Sequence, residues 1–306
     1  MKTAVFGAGG VGALVGGALA RVNDDTYLIC RGEKLRTIRE RGLEIDSAKL
    51  GNFTVKPKLA TADPGEIGVA DLVIMSCKGY DLKECCAAAR PLIGEHTVVI
   101  PLLNGVIVSD IMEEYLPRCV LADGCIYVFS SHQPPGRVTQ PPGPCRITFG
   151  MKDGSRPPVL DEIAALLTGA GIPSEVSGDI LLDSWSKYTF MCGNTVILAH
   201  YDEAAGGVVK NAGHEKVLRD IWGELVSVAA ARGVTLAGDV VDRYVEAFLK
   251  MPPDGVTSLY RDLRDGKSAD QTELYHVVGR LVELGEAAGV PTPYHRAVYE
   301  KYSHLN

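Results

Sequence analysis

Six residues near the amino terminus, Gly7-Ala8-Gly9-Gly10-Val11-Gly12, constrain this chain more than any other stretch. They follow the short β-type run Thr3 to Phe6 without a break and open a run of small residues, Ala13 to Ala20, suited to a closely packed helix. In a strand-turn-helix unit of this form the first glycine permits the turn, the second lets a phosphate approach the backbone, and the third lets the helix pack tightly on the strand. The helix N-terminus adds unpaired N–H groups and the positive end of a dipole. These six residues therefore read as cofactor-binding residues for a dinucleotide, on the first βα turn of a Rossmann-type parallel sheet. The plainer alternative is a glycine-rich turn with no ligand.

The pattern downstream agrees with an α/β fold. Apolar runs at Thr26 to Cys30, Leu72 to Cys77 and Thr97 to Leu103 alternate with helical stretches, as βαβ units require. Gly124 to Phe129, Arg137 to Thr139 and Arg146 to Phe149 are separated by Pro/Gly-rich turns and predict antiparallel strands closing the domain's edge. From Val159 onward the apolar period becomes helical, through Gly207 to Arg232, Val240 to Leu249 and Thr272 to Ala288. Gly233 and Gly289 stand where helix C-caps call for positive φ. The expected organisation is an N-terminal Rossmann-type domain over residues 1–170, followed by an all-helical domain over 171–306.

The 306-residue chain is 46% hydrophobic and 23% charged, enough apolar material for two packed cores. A net charge of −7 without a basic run speaks against nucleic acid as a partner. The first apolar run is too short for a secretory signal or a membrane span, so a cytoplasmic protein without membrane partners is expected. Eight cysteines lie scattered without metal-ligand spacing and read as reduced core thiols; no metal is expected.

Further candidates sit at the carboxyl ends of the apparent strands, the edge of an open α/β sheet where ligands bind. Arg31 follows the second strand, where an NAD enzyme would carry a carboxylate; a cation there suits the 2′-phosphate of NADPH. Lys78 follows Leu72 to Cys77, and Asn104-Gly105 follows Thr97 to Leu103. Lys187 lies in an apolar helical segment beside Trp185 and Tyr188, a setting in which an ammonium can serve as a proton donor. Each also has an ordinary reading, as a surface lysine, a turn or a snorkelling side chain. Ser258 and the Asp270/Glu273 pair read first as helix N-caps.

Taken in order, Gly7 to Gly12, Cys30-Arg31-Gly32, Lys78-Gly79-Tyr80-Asp81, Leu103-Asn104-Gly105, Trp185-Ser186-Lys187, Thr257-Ser258 with Asp262-Leu263, and the closing Gly285 and Gly289 to Pro293 resemble the 2-dehydropantoate 2-reductases, or ketopantoate reductases. The resemblance spans nearly the whole chain. It implies NADPH-dependent reduction of a 2-oxo acid to the 2-hydroxy acid, in pantothenate biosynthesis if the acid is ketopantoate, with the active site in the cleft between the domains. It further implies Lys187 as general acid, Lys78 and Asn104 beside nicotinamide and substrate, Ser258 on the substrate, Glu273 on the cofactor, and a homodimer. Two departures stand out. Where the family has asparagines four and eight residues after the lysine, this chain has Met191 and Thr195, with Asn194 one residue away as the substitute substrate contact. The family's late carboxylate falls on Asp270 or Glu273 depending on which flank is counted, and Glu273 fits the final helix better. Competing readings are another hydroxy acid or opine-type dehydrogenase using His200, and an NADPH-binding redox sensor without chemistry.

Overall fold

The computed structural model describes residues 1–304. The chain divides into two compact units, residues 1–103 with 107–183, and residues 104–106 with 184 onward.

The first unit is built on six parallel strands. In chain order its elements are β1 (Thr3–Phe6), α1 (Gly10–Ala20), β2 (Thr26–Ile29), α2 (Gly32–Arg41), β3 (Leu43–Ser47), β4 (Gly51–Val55), β5 (Leu59–Thr61), β6 (Leu72–Met75), α3 (Leu82–Ala89), β7 (Val98–Pro101), α4 (Val108–Glu113) and β8 (Val120–Leu121). There follow β9 (Asp123–Val128), β10 (Ser131–His132), β11 (Arg137–Gln140), β12 (Cys145–Gly150), α5 (Pro158–Gly169) and β13 (Ser174–Val176). The main sheet runs β5-β2-β1-β6-β7-β8, every pairing parallel. Strand order thus reverses beside β1, the arrangement of a dinucleotide-binding sheet.

Both faces of this sheet are covered, which is why its strands are apolar throughout rather than alternating. Val5, Leu28, Ile74 and Ile100 pack on one face with Leu14, Val15 and Ala18 of α1. Phe6, Ile29, Val73, Met75 and Val99 pack on the other with Leu82, Cys86 and Ala89 of α3.

Of the strands expected to be antiparallel at the domain's edge, β9 and β12 do pair antiparallel with each other, but the set lies in sheets of its own and not on the six-stranded sheet. β11 pairs parallel with β3, inside a separate sheet ordered β10-β11-β3-β4, and β12 joins β9 and β13 in a third sheet. The sequence reading overlooked the β3–β4 hairpin, whose strand Leu43–Ser47 buries Leu43, Ile45 and Ser47 and turns Glu44 and Asp46 outward. Those carboxylates pair with Arg137 of β11, at 3.6 Å and 2.7 Å, across the register that joins Arg137 to Glu44. All eight cysteines are free, but only Cys30, Cys86, Cys125, Cys145 and Cys192 are buried. Cys77, Cys85 and Cys119 are half-exposed, Cys77 and Cys119 in the segments beside β6 and β8 and Cys85 off the buried stripe of α3 formed by Leu82, Cys86 and Ala89.

The second unit contains no strand among its described residues. It comprises most of α6 (Ile180–Tyr201), whose first turn groups with the first unit, then α7 (Ala205–Val208), α8 (His214–Ala231), α9 (Val240–Leu249), α10 (Ser258–Arg264), α11 (Arg280–Ala288) and α12 (Pro293–Ser303). Gly233 and Gly289 take positive φ past α8 and α11, as expected of C-caps. The continuous helical run expected over Gly207 to Arg232 is broken, since Gly213 at φ +75° starts α8 afresh. The run from Thr272 likewise begins as a π-helical turn, Tyr275–Gly279, before α11. That turn leaves the Val277 carbonyl to accept from Tyr188 Oη at 2.7 Å and Cys192 Sγ at 3.1 Å on α6. No described helix is long and apolar enough to cross a membrane, and the described residues hold no cluster able to ligate a metal.

Candidate active site

In the first unit, the glycine-rich loop occupies the carboxyl end of β1 beside β6, where strand order reverses. Each glycine there has a distinct reason. Gly7 adopts φ +99°, and a Cβ on it would meet Cys77 N at 2.9 Å. A Cβ on Gly12 would collide with the Gly7 carbonyl and Ser76 Oγ, so only glycine lets α1 pack against the strand ends. Gly9 differs from both: its Cβ position meets no protein atom within 4 Å, and its φ of −74° suits any residue. Nothing in the fold demands glycine at Gly9, whereas a phosphate brought against the backbone would. The first turn of α1 carries no acidic residue, so its N–H groups face an anion unopposed. The loop therefore fits a dinucleotide on structural grounds.

Arg31 is the residue before α2; its side chain is 87% exposed and lies 3.7 Å from Asp81 Oδ2. So open an ion pair holds the guanidinium weakly and leaves it able to turn to a phosphate. Lys78, exposed, stands at the end of β6 before a 3-10 turn, Gly79–Asp81. Its neighbour Cys77 is hydrogen-bonded to Cys85 of α3. That contact raises the Cys77 thiol's pKa and lowers that of Cys85.

In the second unit, Lys187 Nζ donates to Asn104 Oδ1 at 3.3 Å, joining two residues 83 positions apart. Both are half-buried. The loop carrying Asn104 continues through Gly105 at φ +118° to Ile107 at φ +53°. A β-branched residue in the left-handed region is strained by roughly 1–3 kcal/mol, a cost found mainly at functional loops.

At 3.6 residues per turn, Lys187, Met191, Asn194 and Leu198 share one stripe of α6, with Thr195 at its border. Asn194 is 5% exposed and its Oδ1 has no protein partner. Thr195 is buried and fully engaged: its hydroxyl donates to the Met191 carbonyl at 3.0 Å and lies 3.0 Å from Thr257 Oγ1. Thr257, not Ser258, is the N-cap of α10, accepting from Tyr260 N at 3.3 Å. Ser258 becomes the exposed first residue of the helix, because the extended conformation a cap needs falls on Thr257 at φ −82°, ψ 158°. Glu273 is buried, 8% exposed, while Asp270 is exposed and accepts from Ser268 Oγ at 2.6 Å. His200 lies 13 residues beyond Lys187, about 20 Å along the helix axis, edge-on to Tyr201 and Tyr294. It forms no relay with the Lys187–Asn104 pair.

Two family models describe adjoining parts of the chain. The ketopantoate reductase PanE/ApbA model matches residues 3–154, and its C-terminal companion matches residues 179–306. The chain belongs to the ketopantoate reductase family. It is therefore an oxidoreductase of an NAD(P)-dependent family. It is 28% identical over 297 residues to a 2-dehydropantoate 2-reductase of Halobacterium salinarum, covering 96% of this chain and 95% of that one. An uncharacterized oxidoreductase, YkpB, of Bacillus subtilis is 26% identical over 299 residues, covering 98% and 97%. The crystal structure of a PanE/ApbA family ketopantoate reductase from Ralstonia eutropha matches with a TM-score of 0.88 at 29% identity, covering 100% of this chain and 98% of that chain.

Two further polar residues make long-range contacts that no local pattern foretells. His132 reaches the glycine-rich loop from β10, 124 positions away, with its Nδ1 2.7 Å from the Ala8 carbonyl. Glu224 of α8 accepts from the backbone N–H groups of Tyr294 and His295 and from the His295 ring at 2.5 Å, capping α12. A lone histidine and a mid-helix glutamate carry no local signal of such distant partners.

Proposed function

We propose that this chain reduces a 2-oxo acid to the corresponding 2-hydroxy acid with NADPH, Lys187 supplying the proton. The observation that carries the reading is the Lys187–Asn104 hydrogen bond, in a chain whose family is that of ketopantoate reductases. An ammonium has three protons, and Asn104 takes one. That bond holds the cation in one place before a substrate arrives. Such preorganisation stabilises charge developing on a ketone oxygen, after which Lys187 transfers a proton to that oxygen. Ser258, at the N-terminus of α10, and Asn194 are the proposed contacts to the acid.

Gly7, Ala8, Gly9, Gly10, Val11 and Gly12 would hold the pyrophosphate, Arg31 the 2′-phosphate, Lys78 and Asn104 the nicotinamide end, and Glu273 a ribose. When bound, the reduced nicotinamide supplies the hydride. Arg31 supports NADPH over NADH, because a guanidinium pairs with a phosphate dianion and gains little from a ribose diol.

Ketopantoate is the leading substrate, by family. A 2-oxo acid with an apolar side chain is the second reading, favoured by Met191 and by the engaged Thr195 hydroxyl. Neither residue offers a substrate hydroxyl a free donor, and a site built without that donor loses its discrimination for the hydroxylated acid. The test is coenzyme oxidation with ketopantoate and with aliphatic and aromatic 2-oxo acids, using NADPH and NADH in parallel. Turnover of ketopantoate with NADPH supports the first reading, turnover confined to apolar acids the second, and no turnover of any 2-oxo acid contradicts both.

A further inference from the structure

We infer that His132 is a positioning residue for the coenzyme site, fixing the Ala8–Gly9 peptide so that the Gly9 N–H faces the pyrophosphate; the inference rests on the dinucleotide reading above.

The His132 ring makes two hydrogen bonds to backbone. His132 Nε2 lies 2.9 Å from the backbone N of Gly136, which can only donate. That nitrogen is therefore an acceptor and carries no proton, so the proton of the neutral ring resides on Nδ1. Nδ1 lies 2.7 Å from the Ala8 carbonyl oxygen and donates to it. Both partners are backbone, so the ring is held from two sides in one tautomer. Burial to 3% exposure lowers the pKa of His132 and outweighs the opposing hydrogen bond to the Ala8 carbonyl, with the nearby Lys34 ammonium lowering it a little further, which favours the neutral ring.

A trans peptide is planar, with its C=O and following N–H pointing in opposite directions. Drawing the Ala8 oxygen toward His132 therefore turns the Gly9 N–H away from the ring. Lys34 Nζ, at 3.4 Å from the same oxygen, reinforces the orientation more weakly. The position a Cβ on Gly9 would take is clear of protein atoms within 4 Å, so a ligand can come close to this residue's backbone. The segment bearing His132 is itself pressed onto the loop, since the Ser130 carbonyl occupies the place a Cβ on Gly10 would need. Pairing of His132 with Val138 in the β10–β11 ladder holds the backbone that carries the ring. The imidazole touches neither substrate nor reacting atoms in this account, and its effect is confined to coenzyme affinity.

The test compares wild type, His132→Leu and His132→Asn by NADPH fluorescence titration and by steady-state kinetics. His132→Leu should weaken NADPH binding about tenfold, the worth of one net hydrogen bond, and raise KM for NADPH equally. Its kcat at saturating NADPH should stay within about twofold of wild type. His132→Asn, with a donor and an acceptor, should recover most of the affinity. Unchanged NADPH affinity in a folded His132→Leu, or a loss confined to kcat, overturns the inference. Should the leucine variant not fold, 15N NMR of histidine-labelled wild type decides: a neutral Nδ1–H tautomer for His132 supports it, and an Nε2–H tautomer or an imidazolium at pH 7 overturns it. A wild type that binds neither NADPH nor NADH overturns the coenzyme reading as well, a result distinct from a His132 variant that binds like wild type.

Discussion

Gly9→Ala and Gly12→Ala, two substitutions three residues apart, should fail in opposite ways. At Gly12 the added methyl falls between the Gly7 carbonyl and Ser76 Oγ, which are joined by a 2.8 Å hydrogen bond. Making room means parting α1 from the ends of β1 and β6, an overpacking cost of about 1–3 kcal/mol, plus about 1 kcal/mol for the lost hydrogen bond. A total of roughly 2–4 kcal/mol lowers the Tm of a unit this size by about 5–15 °C. At Gly9 the methyl enters space clear of protein within 4 Å at an ordinary φ. Alanine is a poorer N-cap than glycine, but it restricts the unfolded chain by about 0.4–1 kcal/mol, so Tm should move by no more than about 2 °C. That methyl stands where the pyrophosphate approaches, and loss of one charge-assisted N–H contact of roughly 1.5–3 kcal/mol weakens NADPH roughly 10- to 150-fold. Thermal melts without ligand and fluorescence titration with NADPH separate the two effects. A Gly9→Ala protein that binds NADPH like wild type, or a Gly12→Ala protein that melts like wild type, refutes the division of roles.

Three other outcomes are expected. Arg31→Ala should raise KM for NADPH about 10- to 100-fold while leaving KM for NADH within about twofold, as parallel kinetics with the two coenzymes would show. Glu224→Ala should destabilise the protein by about 1–3 kcal/mol or somewhat more, read by denaturant unfolding at pH 7, because it strands two backbone N–H groups of α12 and the buried His295 ring. His295 is fully buried and its pKa is lowered from 6.5 by desolvation, despite Glu224. Above pH 6.5 neither folded nor unfolded protein binds that proton, whereas below 6.5 the unfolded chain binds it first. Stability should therefore fall as pH drops from 6.5 toward the lower folded value, and His295→Asn should flatten that part of the pH profile.

What the sequence made legible was local. The glycine-rich loop, the apolar strands and the helix C-caps at Gly233 and Gly289 are written in contiguous residues whose backbone needs are steric, and the structure has them where the pattern pointed. The hairpin of β3 and β4 was missed because its strands are short and partly polar, and because parallel pairing of β11 with β3 depends on contacts 93 residues apart. At the candidate site, Lys187 and Asn104 could each be singled out, but their hydrogen bond spans 83 positions and belongs to the tertiary fold. Thr257 and Ser258 both had the chemistry of a cap; which of them took it depended on where the chain turned extended. Thr195 and Met191 could be recognised as departures from the family, yet only the structure shows the Thr195 hydroxyl engaged with Thr257.

The central claim is that the Lys187 ammonium, held by Asn104, protonates the reduced 2-oxo acid. Its most direct test is kcat for Lys187→Ala with the acid that wild type turns over, measured at saturating NADPH alongside the Kd for NADPH. Lys187→Ala should lower kcat by about 10²- to 10⁴-fold with Kd for NADPH within about threefold of wild type. A Lys187→Ala enzyme that retains wild-type kcat would contradict it.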